Sequence, residues 1–298
     1  MIQENLTDIA IKDCPICSSP AYTYAYDCTR PAVHAERGIP GMIRRCTSCG
    51  MLYKETSVQP SQVYDEAYAV SFQKLAVYAG AEPTVTFFRR VISNSLQRVK
   101  RRPPRLLDIG CGVGTLLAVA EDLGCEVAGV EISPPLAQKA SERGYQVFAH
   151  DVAELHTESK YDIITMMDII EHLSDPARIL RELRQRLQPG GELIVYTPNH
   201  ASMLIDIAGW MYRLGRKSAV ENIFASSHTC FFTARSLEDL LIRNGFRIVD
   251  STFFLYDTER PGQEVSAKEQ LAIRAIESVG RVLGYRGFRM IYHATPSD

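Results

Sequence analysis

The 298-residue sequence predicts an α/β protein: a doubly wound, seven-stranded, mostly parallel sheet carrying a small N-terminal element of a different kind. Three observations carry that prediction. From Arg105 onward, short apolar β-rich runs alternate with segments of helical periodicity, the pattern of parallel strands joined by crossover helices. The first run ends in a glycine-rich loop, LLDIGCGVGT at 106–115, where backbone is brought close to a ligand. Ahead of both, four of the eight cysteines stand as C-x-x-C pairs, Cys14/Cys17 and Cys46/Cys49, in a stretch too short to bury its own core.

The elements follow in order. The strands are RLLDI (105–109), EVAGVEI (126–132), YQVFAH (145–150), YDIITMM (161–167) and GELIVYT (191–197), with helical TLLAVAEDLG, PPLAQKASERG and PARILRELRQRLQPGG between them. A helix (SLEDLLIRNG), a long strand (FRIVDSTFFLYD), a helix near 266–283 and a last strand (FRMIYHAT) predict a hairpin-like addition to the sheet edge. The expected organisation is an N-terminal element over 1–57, a helical linker or cap over 58–104, and the main domain over 105–298 with a lid insertion near 200–227.

Composition excludes little but points consistently. Hydrophobic residues make up 46% and charged residues 23%, and the net charge of −2 gives no global attraction to nucleic acid. No apolar run reaches the roughly 18 residues that span a bilayer. The start, MIQENLTDIAIKD, lacks the basic and apolar regions of a signal peptide, so the expected address is cytoplasmic, where thiols stay reduced.

CPIC (14–17) and CTSCG (46–50) read as two zinc knuckles. Each pair lets one tight turn present two thiolates, and Gly50 supplies the freedom such a turn needs. Together Cys14, Cys17, Cys46 and Cys49 make the closed tetrahedral set of a structural Zn²⁺ site. The loop between them exceeds the roughly 15–20 residues usual for this pattern, which an extended hairpin accommodates. Unliganded thiols in a small β-element are the alternative, and Cys28 or His34 is a possible substitute ligand. The basic cluster RVKRRPPR (98–105) reads as a solvated linker rather than a phosphate grip.

The glycine loop has the form D-x-G-x-G-x-G, not the G-x-G-x-x-G of a dinucleotide site. An acid ahead of the glycines is a poor neighbour for a diphosphate and a good one for a cation. Glu131, at the end of the second strand, is placed to accept ribose hydroxyls, and Asp151, after the third, to accept from an adenine amino group. Adenosine, no phosphates and a positive centre together describe S-adenosylmethionine.

LLDIGCGVGT, VEIS, HDV and YDIITMMDIIEHLSDP resemble successive motifs of the class I S-adenosylmethionine-dependent methyltransferases, from about Tyr64 to the C-terminus. The resemblance implies their Rossmann-like seven-stranded sheet with an antiparallel last strand, and S-adenosylhomocysteine as product. It also implies roles. Asp108 orients the loop and the methionine amino group, while Gly110, Gly112 and Gly114 admit the amino-acid part. Glu131 takes the ribose, Ile132 packs on the adenine, Asp151 and the Val152 amide read its edge, and Met167 offers a carbonyl to the ammonium.

In MMDIIEHLSDP, Asp168, Glu171 and His172 are expected on one helical face at the mouth of the fourth strand. His172 is the candidate general base; a local structural role is open, as is a divalent-cation site completed by His228. Quinone-pathway O-methyltransferases and small-RNA 2′-O-methyltransferases resemble the chain in this motif, which here begins with Asp rather than Glu. The aromatic segment with Trp210, Met211, Tyr212 and Phe224 is the expected lid over an acceptor pocket, with Tyr64 and Tyr68 on the other side. The reading is methyl transfer to a small-molecule acceptor. An RNA methyltransferase and a non-catalytic cofactor-binding protein are the alternatives, and the oligomeric state is left open.

Overall fold

The computed structural model describes residues 13–28, 41–55, 82–155, 157–224, 228–254 and 267–297. Residues 58–81 of the expected linker, His34, Tyr64 and Tyr68 lie outside the described residues, as do 225–227 of the expected lid.

Among the described residues, seven strands form the main sheet: β4 (Arg105–Ile109), β5 (Glu126–Val130), β6 (Gln146–Phe148), β7 (Tyr161–Met167), β8 (Leu187–Pro198), β10 (Phe246–Phe254) and β11 (Arg289–Pro296). Their order is β10-β11-β8-β7-β4-β5-β6. The five strands from β4 to β8 are parallel, and β11 runs antiparallel between β8 and β10. The expected edge hairpin is therefore present, with the last strand inside it.

Both faces of this sheet are buried, which is why its strands read as continuous apolar runs. Side chains alternate across it: Leu107, Ile109, Ile164, Met166, Leu193 and Val195 enter one core, while Leu106, Ile163, Ile194 and Tyr196 enter the other. The first core is covered by α4 (Pro176–Arg186) through Ile179, Leu180 and Leu183 and by α7 (Ala234–Arg243) through Leu237, Leu240 and Leu241. The second is covered by α1 (Glu82–Leu96) through Phe87, Phe88, Val91 and Ile92 and by α2 (Thr115–Asp122) through Leu116, Leu117, Val119 and Ala120. Each aliphatic side chain so buried contributes about 1.5–3 kcal/mol. Asp175 caps α4 by accepting from the Arg178 amide at 2.9 Å, and a Thr233–Ser236 capping box starts α7. The remaining helices are α3 (Pro134–Glu142), α5 (Met203–Arg213), α6 (Ser218–Phe224) and α8 (Ala267–Val282). No described helix is long and apolar enough to cross a membrane.

The N-terminal element is a separate sheet of β1 (Tyr22–Cys28), β2 (Gly41–Cys46) and β3 (Leu52–Glu55), extended by a two-residue strand β9 (Cys230–Phe231) from the far part of the chain. The element does not stand apart. Cys28, Ile43 and Leu52 share a buried cluster with Ile205 and Ala208 of α5, Val220 and Phe224 of α6, and Phe231 of β9. The two helices of 203–224 and the N-terminal sheet thus have a common core, with Trp210 of the expected lid left exposed.

The basic stretch 98–105 is tied into the domain. Arg98 pairs with Glu192 at 2.6 Å, Arg102 donates to the Leu96 carbonyl at the end of α1 at 2.9 Å, and Arg101 and Arg105 lie near Glu126 at 3.9 and 3.7 Å.

Candidate active site

The parallel strands all deliver their carboxyl ends to one edge, and the expected cofactor residues line up along it. Asp108 is buried near the end of β4 and accepts from Thr165 Oγ1 at 2.6 Å. The glycine loop then folds back on β5, with the Gly110 and Cys111 amides donating to the Val130 carbonyl at 2.7 and 3.0 Å. Gly110 has φ 76°, and a Cβ there would meet Ile169 Cδ1 at 2.1 Å; at Gly114, φ 82°, it would meet the Tyr145 ring at 2.9 Å. Glycine is required at both, for conformation and for room.

Glu131 lies one residue beyond β5. Its two oxygens accept from the Gly112 and Ser133 amides, both at 2.8 Å, so it fixes the loop. Burial pushes its carboxyl upward against the pull of those amides. A carboxylate has about four acceptor positions, so two remain for ribose hydroxyls. Ile132 beside it is half-buried. After β6, Asp151 caps a single 3₁₀ turn, Val152–Glu154, by accepting from the Ala153 amide at 2.9 Å. Met167 ends β7. The cradle fits an adenosine with a close-lying amino-acid tail: bare backbone in the middle and acidic side chains at three neighbouring strand ends.

The second cluster corrects one expectation. Asp168, Glu171 and His172 do not share a helical face. Asp168 takes a left-handed backbone, φ 56°, ahead of a 3₁₀ turn, Ile170–His172. Its carboxylate accepts from Arg289 Nη1 at 2.6 Å. Arg289 starts β11, whose antiparallel run brings its first residue to the same edge. The four-residue metal set considered from sequence therefore loses Asp168 to an ion pair with a residue 121 positions away.

Glu171, His172 and His228 do converge, with one potential ligand atom from each all within 4.8 Å of one another. The two imidazole rings meet edge-on at 4.8 Å. Glu171 is fully buried; Oε2 accepts from Thr197 Oγ1 at 2.8 Å, and Oε1 has no hydrogen-bond partner among the described residues. Burial, reinforced by the charge of Asp168, pushes this carboxyl up to about 8. Burial, then the neighbouring His172, holds His228 well below its ordinary value. His200, also buried, is brought down to about 3 by desolvation. Burial thus pushes both Glu171 and His228 toward their neutral forms.

In the N-terminal sheet the four cysteines gather as expected. Cys14 and Cys49 sulfurs are 3.5 Å apart, as are those of Cys17 and Cys46, and all four lie within 4.8 Å. Four sulfurs on one zinc stand about 3.8 Å apart. The turns are matched: the Ser18 amide donates to the Cys14 carbonyl and the Gly50 amide to the Cys46 carbonyl, with φ 56° and 78° at Ser18 and Gly50. Without a metal the thiols differ: burial raises Cys14 strongly and Cys49 to about 11, whereas at Cys46 the Cys49 and Ser48 amides together with the Cys17 and Cys49 thiols outweigh burial and bring it down to about 7. Amides aimed at a sulfur stabilise a thiolate, the form a metal binds. The residues fit a structural zinc. Cys28 is buried at the end of β1, outside this cluster.

Thr197 and Arg289 were not singled out from sequence. No local pattern marks either; each acts through a partner distant in the chain.

Comparison with known proteins agrees with this geometry. Residues 85–251 match the family described as a methyltransferase domain. Ubiquinone biosynthesis O-methyltransferase from Ruegeria pomeroyi is 32% identical over 162 residues, 51% of this chain and 64% of that protein. The protein of the same name from Cereibacter sphaeroides is 30% identical over 55% of this chain and 69% of its own length. The chain thus spans about two thirds of these relatives. In fold it resembles magnesium protoporphyrin IX methyltransferase from Synechocystis PCC 6803 with bound SAH, at a TM-score of 0.54 and 16% identity, covering 80% of this chain and 100% of that one. Motif, sheet order and family match converge: the chain belongs to the methyltransferase-domain family, of the class I S-adenosylmethionine-dependent type.

Proposed function

We propose that the chain methylates a hydroxyl oxygen of a small molecule, with His172 as the base that takes the hydroxyl proton. The observation that carries the reading is the position of His172. It stands half-buried at the carboxyl end of β7, on the edge that bears the glycine loop, with His228 against its ring. The ubiquinone biosynthesis relatives are named O-methyltransferases, which supports oxygen as the acceptor atom.

S-adenosylmethionine supplies, when bound, a sulfonium methyl open to in-line displacement. Asp108, Glu131, Asp151 and the Val152 amide would hold its nucleoside and amino-acid parts, Ile132 would pack on the base, and the Met167 carbonyl would accept from the ammonium. His172 Nδ1 or Nε2 would accept the acceptor's proton as the oxygen lone pair bonds to the methyl carbon and the methyl–sulfur bond breaks with its pair kept by sulfur, S-adenosylhomocysteine being the leaving group. The imidazolium would then release that proton to water. Most of the acceleration comes from holding oxygen and methyl in line; the base adds about 10²–10⁴-fold.

A second reading, a divalent cation held by Glu171, His172 and His228, is favoured by their convergence and by the buried Glu171 Oε1 without a hydrogen-bond partner among the described residues. In either reading the four cysteines hold a structural zinc, which suits a reducing compartment such as the cytoplasm. The ties of Arg98, Arg101 and Arg102 to the domain count against RNA as acceptor.

The test is a screen of phenols, hydroxy acids and sugars with donor present, scored by S-adenosylhomocysteine release and a methyl mass gain. His172→Gln is expected to lower kcat on the responding acceptor by about 10²-fold or more, with donor affinity unchanged. Undiminished kcat in that variant overturns the role of His172, and methyl found on nitrogen or carbon overturns the choice of oxygen.

A further inference from the structure

The two histidines lie 56 positions apart, and the segments that carry them are joined through Thr229 and Cys230. Thr229, buried and next to His228, donates its amide to the Glu171 carbonyl at 2.8 Å. Its Oγ1 lies 3.1 Å from that same carbonyl and 3.2 Å from the Leu173 carbonyl. Cys230 Sγ adds a contact to the Leu173 carbonyl at 3.6 Å. The turn that carries Glu171 and His172 is thus clamped from one side by residues 229 and 230.

The clamp is itself held from outside the main domain. The Thr229 carbonyl accepts from the Lys54 amide at 2.8 Å, and β9 pairs with β3 at Leu52↔Phe231 and Tyr53↔Cys230. Among the described residues β3 is the sole strand partner of β9. Strand β3 in turn pairs with β2, which runs into Cys46, and the Cys46 amide donates to the Met51 carbonyl at 2.9 Å. A continuous path of backbone hydrogen bonds therefore leads from the second cysteine knuckle through β3 and Thr229 to the Glu171–His172 turn. Phe232 is also tied to the main domain, its carbonyl accepting from the His200 amide at 2.7 Å, but the two-residue strand itself takes its ladder from β3.

We infer that the four-cysteine element is the frame of the acceptor side of the active site, and that Thr229 is the positioning residue through which it acts. Metal on Cys14, Cys17, Cys46 and Cys49 keeps β3 in place; β3 keeps Thr229 in place; Thr229 sets the distance between His172 and His228. The glycine loop stands outside this path, fastened to β5 by its own hydrogen bonds. Loss of the metal should therefore loosen the acceptor side and leave cofactor binding intact. The path consists of hydrogen bonds alone, so it stands or falls independently of the role given to His172.

Hydrogen-exchange mass spectrometry on the full chain tests this, comparing zinc-loaded protein with protein stripped by a chelator. Stripping is expected to raise exchange in 41–55, 170–173 and 228–231 together, by about tenfold or more, while 106–114 changes little and S-adenosylhomocysteine affinity stays within about twofold. Faster exchange in 41–55 with 170–173 unmoved overturns the proposal. So does a stripped protein that loses all protection at once, because the two sides are then not separable. A second arm keeps the zinc in place. Thr229→Val should raise exchange in 170–173 about tenfold, the equilibrium factor for losing one buried hydrogen bond, and shift the His172 imidazole resonances, whereas Thr229→Ser restores both. A valine variant with wild-type exchange and resonances contradicts the positioning role.

Discussion

The two sides of the active-site edge are built differently. The cofactor side is made largely of contacts within one strand–loop unit or between adjacent strands: Glu131 reaches Gly112 and Ser133, Asp151 reaches Ala153, and Asp108 takes a donor distant in sequence, Thr165 on the neighbouring strand. The acceptor side is made of long-range ones: Thr197 to Glu171, Arg289 to Asp168, Thr229 to Glu171, Lys54 to Thr229. The first kind is written mostly in residues of neighbouring strand–loop units and depends on few other parts of the chain. The second depends on several distant segments arriving together, and this is where a fold can vary its acceptor while keeping its donor.

The comparison can be broken most sharply at Glu131. Glu131→Ala removes the acceptor of two buried amides and both ribose positions, each worth about 1–3 kcal/mol. Calorimetry should find S-adenosylhomocysteine affinity lowered by about 10²-fold or more, with exchange in 170–173 unchanged. Loss of order on both sides would mean that they are not independent.

The pH dependence of stability addresses the acceptor side in metal-free protein. His200, ordinarily near 6.5 and brought to about 3 by burial, stays neutral when folded but takes a proton when unfolded. Its contribution is present above about 6.5 and is lost as pH falls toward 3. Glu171, raised from 4.5 to about 8, behaves oppositely: its contribution is present below about 4.5 and is lost as pH rises through 8. Each group gives a slope of about 1.4 kcal/mol per pH unit inside its window. Urea denaturation across pH should therefore show His200→Phe flattening the acid limb and Glu171→Gln flattening the alkaline limb. Unchanged limbs would show that these groups titrate alike in the folded and unfolded chain.

Smaller effects sharpen the contrast. Thr197→Val deprives buried Glu171 of its hydroxyl donor and should cost about 1–2 kcal/mol of stability, read from the urea midpoint, with cofactor affinity within about twofold. Arg89→Ala breaks an exposed ion pair between α1 and α2, 3.1 Å from Asp122, and should change stability by less than about 0.5 kcal/mol.

The same division explains what the sequence disclosed. RLLDI and YDIITMM match β4 and β7 residue for residue because both faces of those strands are buried; the first ends at Gly110 and the second at Asp168, which takes a left-handed backbone. The glycine loop, Glu131 and Asp151 were legible because spacing along one strand–loop unit determines where each side chain stands. The cysteine pairs were legible for the same reason, with Gly50 at the position the knuckle requires. Strand β9 was not: two residues after His228 carry no periodicity, and their partner lies far up the chain in β3. Arg289 was hidden inside FRMIYHAT, where an arginine at a strand start reads as solvent-facing until β11 is placed antiparallel beside Pro198. Asp168 was assigned to a helical face because D-x-x-E-H suggests one. Its left-handed φ and the pull of Arg289 put it elsewhere.

Titration calorimetry with S-adenosylhomocysteine, on folded zinc-loaded chain, reaches the shared assumption most directly. One site per chain should appear, with the heat abolished in Glu131→Ala and retained in Thr229→Val. No heat from well-folded wild-type protein, or equal heat from the Glu131 variant, would contradict the account.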